Sequence, residues 1–240
     1  MGKKVAIHQP NYLPWIGFFQ KIATADIFVI LDVAKFTKNG IIHRNKIRTK
    51  EGWIWLTIPI ENKYKGVAIK DVYLPEDRKW WGKHWRLIMG NYGKAKYFAE
   101  YKEFFEKIYS AKKHTKLQKL NEAIIFYLFE CFDIHPKIIR SSELNLNSSL
   151  AKTDLNLEIV KKVGGDIYIS GMGGKKYLEE EKFEKEGIEI RYFEFKPFEY
   201  PQRWEGFEPY MAAIDLLFNV GEKSKFYIKE IYEREANDGR

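Results

Sequence analysis

The stretch KKVAIHQPNYLPWIGFFQKIATADIFVILD, residues 3–32, contains in succession a strand pattern, a short apolar helix pattern and a second strand pattern. Residues 4–8 and 27–31 predict strands, and residues 15–23 between them predict a helix. Two strands joined by a helix in this way are typical of a parallel sheet. The turn after the first strand is unusual, because it combines a histidine, an amide, two prolines and a tryptophan. This turn is therefore the first place to look for a site.

The same alternation of strands and helices resumes after Pro136. Three further strands are predicted from KIIRS, DIYIS and IEIRYFEF, at residues 137–141, 166–170 and 188–195. Helices are predicted at residues 153–163, with Thr153 or Asp154 as the N-cap, and at 174–186. The expected fold class is α/β, a Rossmann-like open parallel sheet with helices on both faces. With these five strands numbered along the chain, we expect the order 3-2-1-4-5.

Two insertions interrupt the rhythm of a single expected α/β domain, residues 1–221. A β-rich segment at 33–75 contains a predicted hairpin with its turn near Gly52. A helical segment at 78–133 carries aromatic stripes at helical spacing, which favour core packing over a ligand role. Its helices are predicted near residues 78–91, 95–112 and 116–132. A polar helix or tail is expected at 222–240.

Composition sets wide bounds on function. With 45% hydrophobic and 31% charged residues, the chain is typical of a globular protein. No apolar run reaches the roughly 18 residues that a membrane span needs, and the basic N-terminus lacks the hydrophobic region of a signal peptide. Cys131 is the only cysteine, which excludes an intrachain disulfide and favours a cytoplasmic location. The formal charge of +8 fits nucleotide phosphates, nucleic acid, anionic lipid or a thermophilic protein rich in Lys and Glu, and does not choose among them.

The first candidate site is the turn HQPNYLPWIG, residues 8–17. In an open parallel sheet, ligands bind at the carboxyl ends of the strands where the strand order reverses, and the first strand–helix turn usually borders that crevice. His8 would point into it, and Gly17 would allow close backbone approach at the helix start. The alternative is that His8 is a core histidine and Trp15 a packing residue. The ligand-binding candidates of this turn are Gln9, Pro10, Asn11, Tyr12, Trp15 and Gly17.

The second candidate site is YISGMGGKKYL, residues 168–178. A glycine-rich turn that opens a helix is suited to a phosphate or carboxylate, because free N–H groups and the helix dipole favour negative charge. The spacing matches neither the Walker pattern nor the dinucleotide pattern, and the alternative is that the glycines serve a tight turn. The candidates are Ser170, Gly171, Gly173 and Gly174. If the first and fourth strands adjoin, both loops face one ligand.

A third candidate is HRNKIRT, residues 43–49, in the predicted hairpin. Alternation along a strand places its basic residues on one face: Arg44, Lys46 and Arg48. Such a row holds phosphates in some proteins, and a solvated basic edge is the alternative. Asp215, on an apolar helix expected within 203–221, is either a structural contact in the core or a catalytic carboxylate. No spacing of histidines or cysteines indicates a metal site, and none is expected.

Together these segments resemble the WbqC-like family over nearly the whole chain. The segments that carry the resemblance are HQPNYLPWIGFFQKI, ADIFVILD, HRNKIRT, WLTIPI, YISGMGGKKYL, YPQ and FEPYMAAIDLLFNVG. Members of this family occur in bacterial and archaeal gene clusters for O-antigen and related surface polysaccharides. The resemblance adds four ligand-binding candidates from the matching segments: Asp32, Asn45, Tyr177 and Gln202. The chain departs from the family pattern at His43, where Asn is usual, and at Ala213, where Ser is common.

The first strand–helix unit also resembles, more distantly, that of nucleotidylyltransferases and pantothenate synthetase-type ligases. Those enzymes have H-x-G-H where this chain has the sequence WIGF at residues 15–18, so the glycine is kept and both histidines are absent. The resemblance implies a nucleotide near this turn. The missing charge stabilisation would have to come from His8, Lys21 or Arg44, the three catalytic candidates. His8 is the expected proton carrier, because the ordinary histidine pKa lies near neutrality.

The resemblance implies a transferase or ligase of surface-polysaccharide biosynthesis that moves an acyl or aminoacyl group, such as glycyl, onto an amino sugar or nucleotide-sugar. ATP or another nucleotide is the expected cofactor, with Mg²⁺ if ATP is used, and the expected partner is a small molecule. The alternative is a non-catalytic protein that binds a nucleotide-sugar or nucleic acid. The aromatic and basic segment at 78–97 would favour nucleic acid. An amphipathic helix with a basic exposed side explains it better, so nucleic acid is not the expected partner.

Overall fold

A computed structural model describes residues 2–229, which form a five-stranded sheet and a separate two-stranded hairpin. The strands are β1 (Lys4–His8), β2 (Ile27–Ile30), β3 (Arg44–Thr49), β4 (Gly52–Thr57), β5 (Lys137–Arg140), β6 (Ile167–Gly171) and β7 (Glu189–Phe193). The order in the larger sheet is β5-β2-β1-β6-β7, and each neighbouring pair in it is parallel. With its five strands numbered along the chain this order is 3-2-1-4-5, so the predicted fold class and strand order are confirmed.

The helices connect and cover these strands. They are α1 (Ile16–Ala23), α2 (Lys79–Tyr92), α3 (Phe98–Ala111), α4 (Leu117–Phe132), α5 (Lys152–Lys162), α6 (Glu180–Lys185) and α7 (Ala213–Val220). The hairpin of β3 and β4 and the helices α2–α4 occupy the two insertions between β2 and β5. Within residues 2–229, no helix has the length and apolar character that crossing a membrane requires. Of the predicted polar tail at 222–240, residues 230–240 lie outside the described residues.

The strand order reverses between β1 and β6. β1 pairs with β2 on one side, where His8 lies opposite Ile30, and with β6 on the other, where Ala6 lies opposite Ile169. From β1 the chain runs outward through β2 to β5, then returns to β6 and continues to β7. Because the strands are parallel, β1 and β6 both end at the same edge of the sheet, where ligands bind in open α/β folds.

Alternate residues of β1 serve two different cores, as the period of two in a strand requires. Val5 and Ile7 pack with Tyr168 and with residues of α5 and α6 in the smaller cluster. Ala6 belongs to the larger cluster, which continues through α1, the hairpin, α2–α4 and α7. The three central strands, β2, β1 and β6, are therefore buried on both faces, and the two inserted segments share a continuous core with one of those faces.

The aromatic residues of the basic segment at 78–97 face this larger core. Trp80, Trp81 and His84 are buried in α2, and the two indole rings stack with their centroids 4.3 Å apart. Lys83, on the same helix, is exposed. The mixture of aromatic and basic residues is that of an amphipathic helix with a basic outer side.

The helix predicted at 174–186 is interrupted. A 3-10 helix at Met172–Lys176 directly follows β6, and α6 begins only at Glu180. Glycine loses more backbone entropy on entering a helix than any other residue, so Gly173 and Gly174 disfavour a regular first turn. As a consequence, no long helix points its N-terminus at the end of β6.

One further expectation is corrected by a local contact, and one is confirmed. α5 begins after Ala151 without a side-chain cap, because the Thr153 hydroxyl donates to the carbonyl oxygen of Tyr177 instead, at 3.0 Å. The apolar helix expected within 203–221 is confirmed as α7, which carries Asp215 and begins after Pro209, a residue without a backbone donor.

Gly165, just before β6, is expected to tolerate no side chain. A Cβ there would lie 2.3 Å from Cγ2 of Val5 and 3.0 Å from Cγ1 of Val160. We expect Gly165→Ala to lower the free energy of unfolding by about 1–3 kcal/mol, measured by urea denaturation. Gly90→Ala, in α2 with open space at its Cβ position, is the matched control and should raise it by up to about 1 kcal/mol. An unchanged midpoint for Gly165→Ala would contradict this packing.

Candidate functional site

Two adjoining cavities, which we call the switch-point cleft, border the carboxyl ends of β1 and β6. Their volumes are about 390 and 350 Å³, and both are lined by His8, Lys21, Gly171 and Gly173. The first is also lined by Gln9, Asn156, Tyr168, Ser170 and Tyr177, and the second by Trp15, Gly17, Phe195 and Tyr210. The turn after β1 and the glycine-rich loop after β6 thus border one cleft, as the strand order requires.

Lys21 places a positive charge at this cleft without a protein counter-ion. The side chain is 5% exposed, and its Nζ donates to the carbonyl oxygen of Ile7 at 2.9 Å. No carboxylate of the described residues forms an ion pair with it, and burial lowers the pKa of Lys21 to about 7. A buried ammonium is costly unless it is paired. Lys21 is therefore suited to a negatively charged ligand, or to proton exchange near neutral pH.

His8 is neutral at physiological pH in the ligand-free cleft, so as a proton carrier it would act first as an acceptor. Burial, together with the Lys21 ammonium, lowers the pKa of His8 to about 3. Its Nδ1 lies 3.0 Å from the carbonyl oxygen of Gln9, which only accepts, so Nδ1 carries the proton and Nε2 is an acceptor. An anion bound beside Lys21 would offset the effect of the ammonium and raise the pKa of His8 again.

The glycine-rich loop leaves room for a ligand at two positions. Nothing lies within 4 Å of the place where a Cβ on Gly171 or Gly173 would stand, whereas a Cβ on Gly174 would lie 2.1 Å from Oγ of Ser170. The Ser170 hydroxyl donates to the carbonyl oxygen of Gly171 at 3.2 Å. A five-residue 3-10 helix replaces the long helix whose dipole we expected to attract an anion, so Lys21 is the better anion partner.

Aromatic side chains form one wall of the second cavity. The ring of Trp15 meets that of Phe195 edge to face, with centroids 4.7 Å apart, and lies 5.9 Å from that of Tyr210. A Cβ on Gly17 would stand 2.5 Å from Cη2 of Trp15. The indole therefore occupies the space beside Gly17 and leaves a ligand less room at that backbone, although Gly17 still lines the second cavity.

The middle of the first turn is anchored in the core and does not line the cleft. Tyr12 is fully buried, with its hydroxyl 2.8 Å from Nδ1 of His84, and the carbonyl oxygen of Pro10 accepts from Nδ2 of Asn121 at 2.8 Å. Asn11 is fully buried, and neither of its side-chain polar atoms has a hydrogen-bond partner among residues 2–229. Of these three ligand-binding candidates, Pro10 and Tyr12 anchor the loop, and none of the three lines the cleft.

Asp32 is the centre of a hydrogen-bond network beside the cleft. Its Oδ1 accepts from Oγ of Ser141 at 2.7 Å, and its Oδ2 accepts from Oγ of Ser142 at 2.6 Å and from Nε2 of Gln118 at 3.0 Å. The side chain is 1% exposed. The carboxylate is committed to these donors and ties the end of β2 to the end of β5, so its role is structural.

Arg44 and Asn45 lie in the hairpin, away from the cleft. The guanidinium carbon of Arg44 stands 4.5 Å above the ring of Trp55, and its Nη2 donates to the carbonyl oxygen of Asn39 at 3.1 Å. Asn45 is buried, and its Nδ2 donates to the carbonyl oxygen of Leu13. Arg44 therefore does not join His8 and Lys21, and Asn45 ties the hairpin to the first turn.

Gln202 belongs to a second buried polar cluster, around Asp215. Its Nε2 donates to Oδ2 of Asp215 at 2.8 Å, and the Tyr200 hydroxyl donates to the same oxygen at 2.7 Å. Burial raises the pKa of Asp215 to about 6. This cluster holds the segment after β7 against α7, and of the two interpretations of Asp215 its contacts fit the structural one.

Several residues that line the cleft were not singled out from the sequence. Asn156 of α5 is buried, and its Nδ2 lies 3.5 Å from the hydroxyl of Tyr177. An amide between Leu155 and Leu157 is the one signal that could have drawn attention to it. Tyr210 carries no such signal, since only the folding of the final segment brings it to Trp15. Among residues 2–229, no group of three or more His, Cys, Asp or Glu side chains is arranged to hold a metal ion.

We expect Tyr12→Phe to destabilise the protein. The Tyr12 hydroxyl lies between Nδ1 of His84 and the hydroxyl of Tyr109, both buried, and the change leaves these groups without this partner. The free energy of unfolding should fall by about 1–3 kcal/mol in urea denaturation. Tyr73→Phe, at a side chain that is 48% exposed, is the control and should change it by less than about 0.5 kcal/mol. Equal effects of the two changes would refute the anchoring.

The Lys21 environment predicts a pH-dependent stability difference. The folded chain releases the Lys21 proton near pH 7, while the unfolded chain keeps it up to its ordinary pKa of 10.5. Between these values the unfolded state binds more protons, so wild-type stability rises with pH by up to about 1.4 kcal/mol per unit. Lys21→Met removes this contribution. The free energy of unfolding of Lys21→Met should therefore exceed that of the wild type most below pH 7, and the difference should shrink towards pH 10.5. A difference that does not vary with pH would contradict the assignment.

Comparison with known proteins relates the whole fold to one family. The family model described as "WbqC-like protein family" matches residues 9–227. An uncharacterized protein of Mycobacterium tuberculosis is 33% identical over 228 residues, which cover 95% of this chain and 98% of that protein. No solved structure gives a significant match. The matched range contains α1 with Lys21, the hairpin, the glycine-rich loop and α7. The chain therefore belongs to the WbqC-like family.

Proposed function

We propose that this protein binds a nucleotide-sugar in the switch-point cleft and transfers an acyl or aminoacyl group, such as glycyl, onto an amino group of the sugar. Membership of the WbqC-like family suggests a role in polysaccharide-related biosynthesis. The donor, the acceptor and the transfer reaction are the proposal. The single free cysteine among the described residues supports a cytoplasmic location for it.

The observation that carries the proposal is the unpaired ammonium of Lys21 at the strand-order reversal. A diphosphate bound there would supply the counter-ion that the protein lacks, next to open backbone at Gly171 and Gly173. The aromatic wall of Trp15 and Tyr210 offers flat apolar surface for a base or sugar ring. Each cavity falls within the range of about 300–1,000 Å³ that is usual for small-molecule sites.

Two titratable groups of the cleft, His8 and Lys21, suit the two charges that develop in acyl transfer. The amine attacks the carbonyl carbon of an acyl phosphate or acyl adenylate, a C–N bond forms, and the C–O bond to phosphate breaks. Nε2 of His8 takes the proton that the amine loses, and Lys21 stabilises the departing phosphate. We propose ATP as the co-substrate that activates the acyl group, with Mg²⁺ bound to its phosphates.

Binding of UDP-N-acetylglucosamine, measured by isothermal titration calorimetry, tests the role of Lys21. If the complex needs a charged Lys21 whose pKa in the free protein is about 7, affinity should fall by up to about tenfold per pH unit between pH 7 and 9. Lys21→Arg should bind with a flat pH profile, and Lys21→Met should bind at least about tenfold more weakly at pH 7. A wild-type profile that is flat, or equal affinity in Lys21→Met, would overturn the proposal.

A mass-spectrometric transfer assay separates the enzyme from the alternative, a non-catalytic nucleotide-sugar binding protein. The wild type, incubated with a UDP-amino sugar, glycine, ATP and Mg²⁺, should give the glycyl amide of the sugar. His8→Ala should abolish this product while leaving both the thermal transition and Lys21-dependent binding nearly unchanged. Binding without product in the wild type would favour the binding protein.

A further inference from the structure

We propose that the outer face of the hairpin binds a negatively charged saccharide, which serves as the acceptor substrate or as its attached glycan. We call this surface the hairpin face and define it by Arg44, Lys46, Trp53 and Trp55. Its role as an acceptor site rests on the proposed function, whereas its binding of the saccharide does not.

Cations and indole rings alternate across the hairpin face. Nζ of Lys46 stands 3.8 Å from the centroid of the Trp53 ring and 5.5 Å from that of Trp55, and the guanidinium carbon of Arg44 stands 4.5 Å above Trp55. The cross-strand register explains this order, since Lys46 lies directly opposite Trp55. The predicted row of three basic residues is shorter by one, because Arg48 is buried, with its guanidinium bound to backbone carbonyl oxygens.

The hairpin face is open and positively charged. Trp53 is 41% exposed and Trp55 is 38% exposed. Neither Arg44 nor Lys46 forms an ion pair with a carboxylate of the described residues. The carboxylate of Glu208 lies beside Gly52, at the turn end of the strands. Large aromatic side chains left exposed beside unpaired cations indicate a surface for a ligand that combines apolar rings with negative charge.

The angle between the two indoles favours a saccharide over a single-stranded nucleic acid. The ring planes of Trp53 and Trp55 meet at 83° with centroids 5.8 Å apart. Successive bases need parallel platforms to stack on, and these rings are nearly perpendicular. A corner of two indoles instead fits one puckered sugar ring, whose C–H groups contact one face while its edge meets the other. Arg44 and Lys46 then lie within reach of a carboxylate or phosphate on that sugar.

The backbone connects the hairpin face to the switch-point cleft. The carbonyl oxygen of Lys46 accepts from the backbone N–H of Ala212 at 2.9 Å, and Ala212 forms a β-bridge with Trp15, which lines the cleft. Two such strand spacings amount to about 10 Å. Tyr210, 49% exposed, lies at the cleft just before this bridge. A saccharide on the hairpin face could therefore extend an amino sugar into the cleft.

The test is calorimetric titration of the full chain with a hyaluronan tetrasaccharide, which carries carboxylates. We expect binding that weakens with added salt, and at least about tenfold weaker binding of tetra-N-acetylchitotetraose, which is neutral. Trp55→Ala and Lys46→Gln should each reduce affinity for the acidic saccharide by about tenfold or more. Tyr73→Ala is the matched control, because Tyr73 is 48% exposed and has Nζ of Lys116 5.2 Å from its ring centroid. It should bind as the wild type does.

Three results would overturn the inference. They are equal affinity for the acidic and neutral tetrasaccharides, equal losses in Trp55→Ala and Tyr73→Ala, and tighter Trp55-dependent binding of oligothymidylate or of phosphatidylserine vesicles than of the saccharide. Thermal unfolding of each variant shows whether the fold is retained.

Titration with UDP-N-acetylglucosamine separates this inference from the proposed function. Trp55→Ala should bind it as the wild type does, and Lys21→Met should still bind the acidic saccharide. If the wild-type protein binds the acidic saccharide but not UDP-N-acetylglucosamine, the proposed function of the cleft is refuted and the inference for the hairpin face stands. If the wild-type protein binds UDP-N-acetylglucosamine but not the acidic saccharide, the inference for the hairpin face is refuted and the proposed function of the cleft stands.

Discussion

The anchoring of the turn after β1 is the constraint on which the rest of the structure depends. This turn leaves the central strand of the sheet at the strand-order reversal, and it is held from the side away from the cleft. Tyr12 bonds to α2 and α3 through the hydroxyl chain with His84 and Tyr109, and the carbonyl oxygen of Leu13 accepts from Asn45 of the hairpin. Because these donors and acceptors are buried, leaving any of them unmatched is costly, which favours the conformation of the turn that satisfies them. The two inserted segments, the hairpin and α2–α4, therefore help to hold the turn after β1, which borders the cleft.

That fixed turn explains how α1 can keep Lys21 where it is. α1 is almost entirely buried and mostly apolar, yet it carries Lys21. Within residues 2–229, the one hydrogen bond of the Lys21 ammonium is to the backbone carbonyl oxygen of Ile7 in β1. A lysine in this position destabilises the fold for as long as it is charged and unpaired. The buried charge of Lys21 thus lowers the stability of the fold at the cleft, and such a group is typical of functional sites. Burial, with the Lys21 ammonium as the second cause, keeps His8 neutral, so an anion that binds Lys21 affects the protonation of both residues.

Sequence reasoning was most successful where local pattern and sheet topology agree. The periodicities of β1, α1 and β2, and the return to alternation after Pro136, predict a parallel sheet because parallel strands need helical crossovers. Reversal of the strand order at β1 then brings His8 and the glycine-rich loop to one edge. Reasoning failed where a side chain had a competing partner. Asp32, Asn11 and Gln202 are polar residues in matched segments, but none of them lines the cleft. Asp32 and Asn11 are buried, and Asp32 and Gln202 are bonded to Ser141 and Asp215. No local pattern reports such a partner.

The sequence by itself determined the α/β class, because the class follows from hydrophobic period and from the helical crossovers that parallel strands need. It also predicted the strand order that the structure has and a candidate edge of the sheet. Only the tertiary structure decided which polar residues of that edge face a ligand. In the folded chain, Arg44 lies on the hairpin face and the ring of Trp15 lies beside Gly17. Asn156 and Tyr210 line the cleft. The tertiary structure also decided the charge states of His8 and Lys21, since the pKa of a buried group depends on desolvation and on neighbours that are distant along the chain.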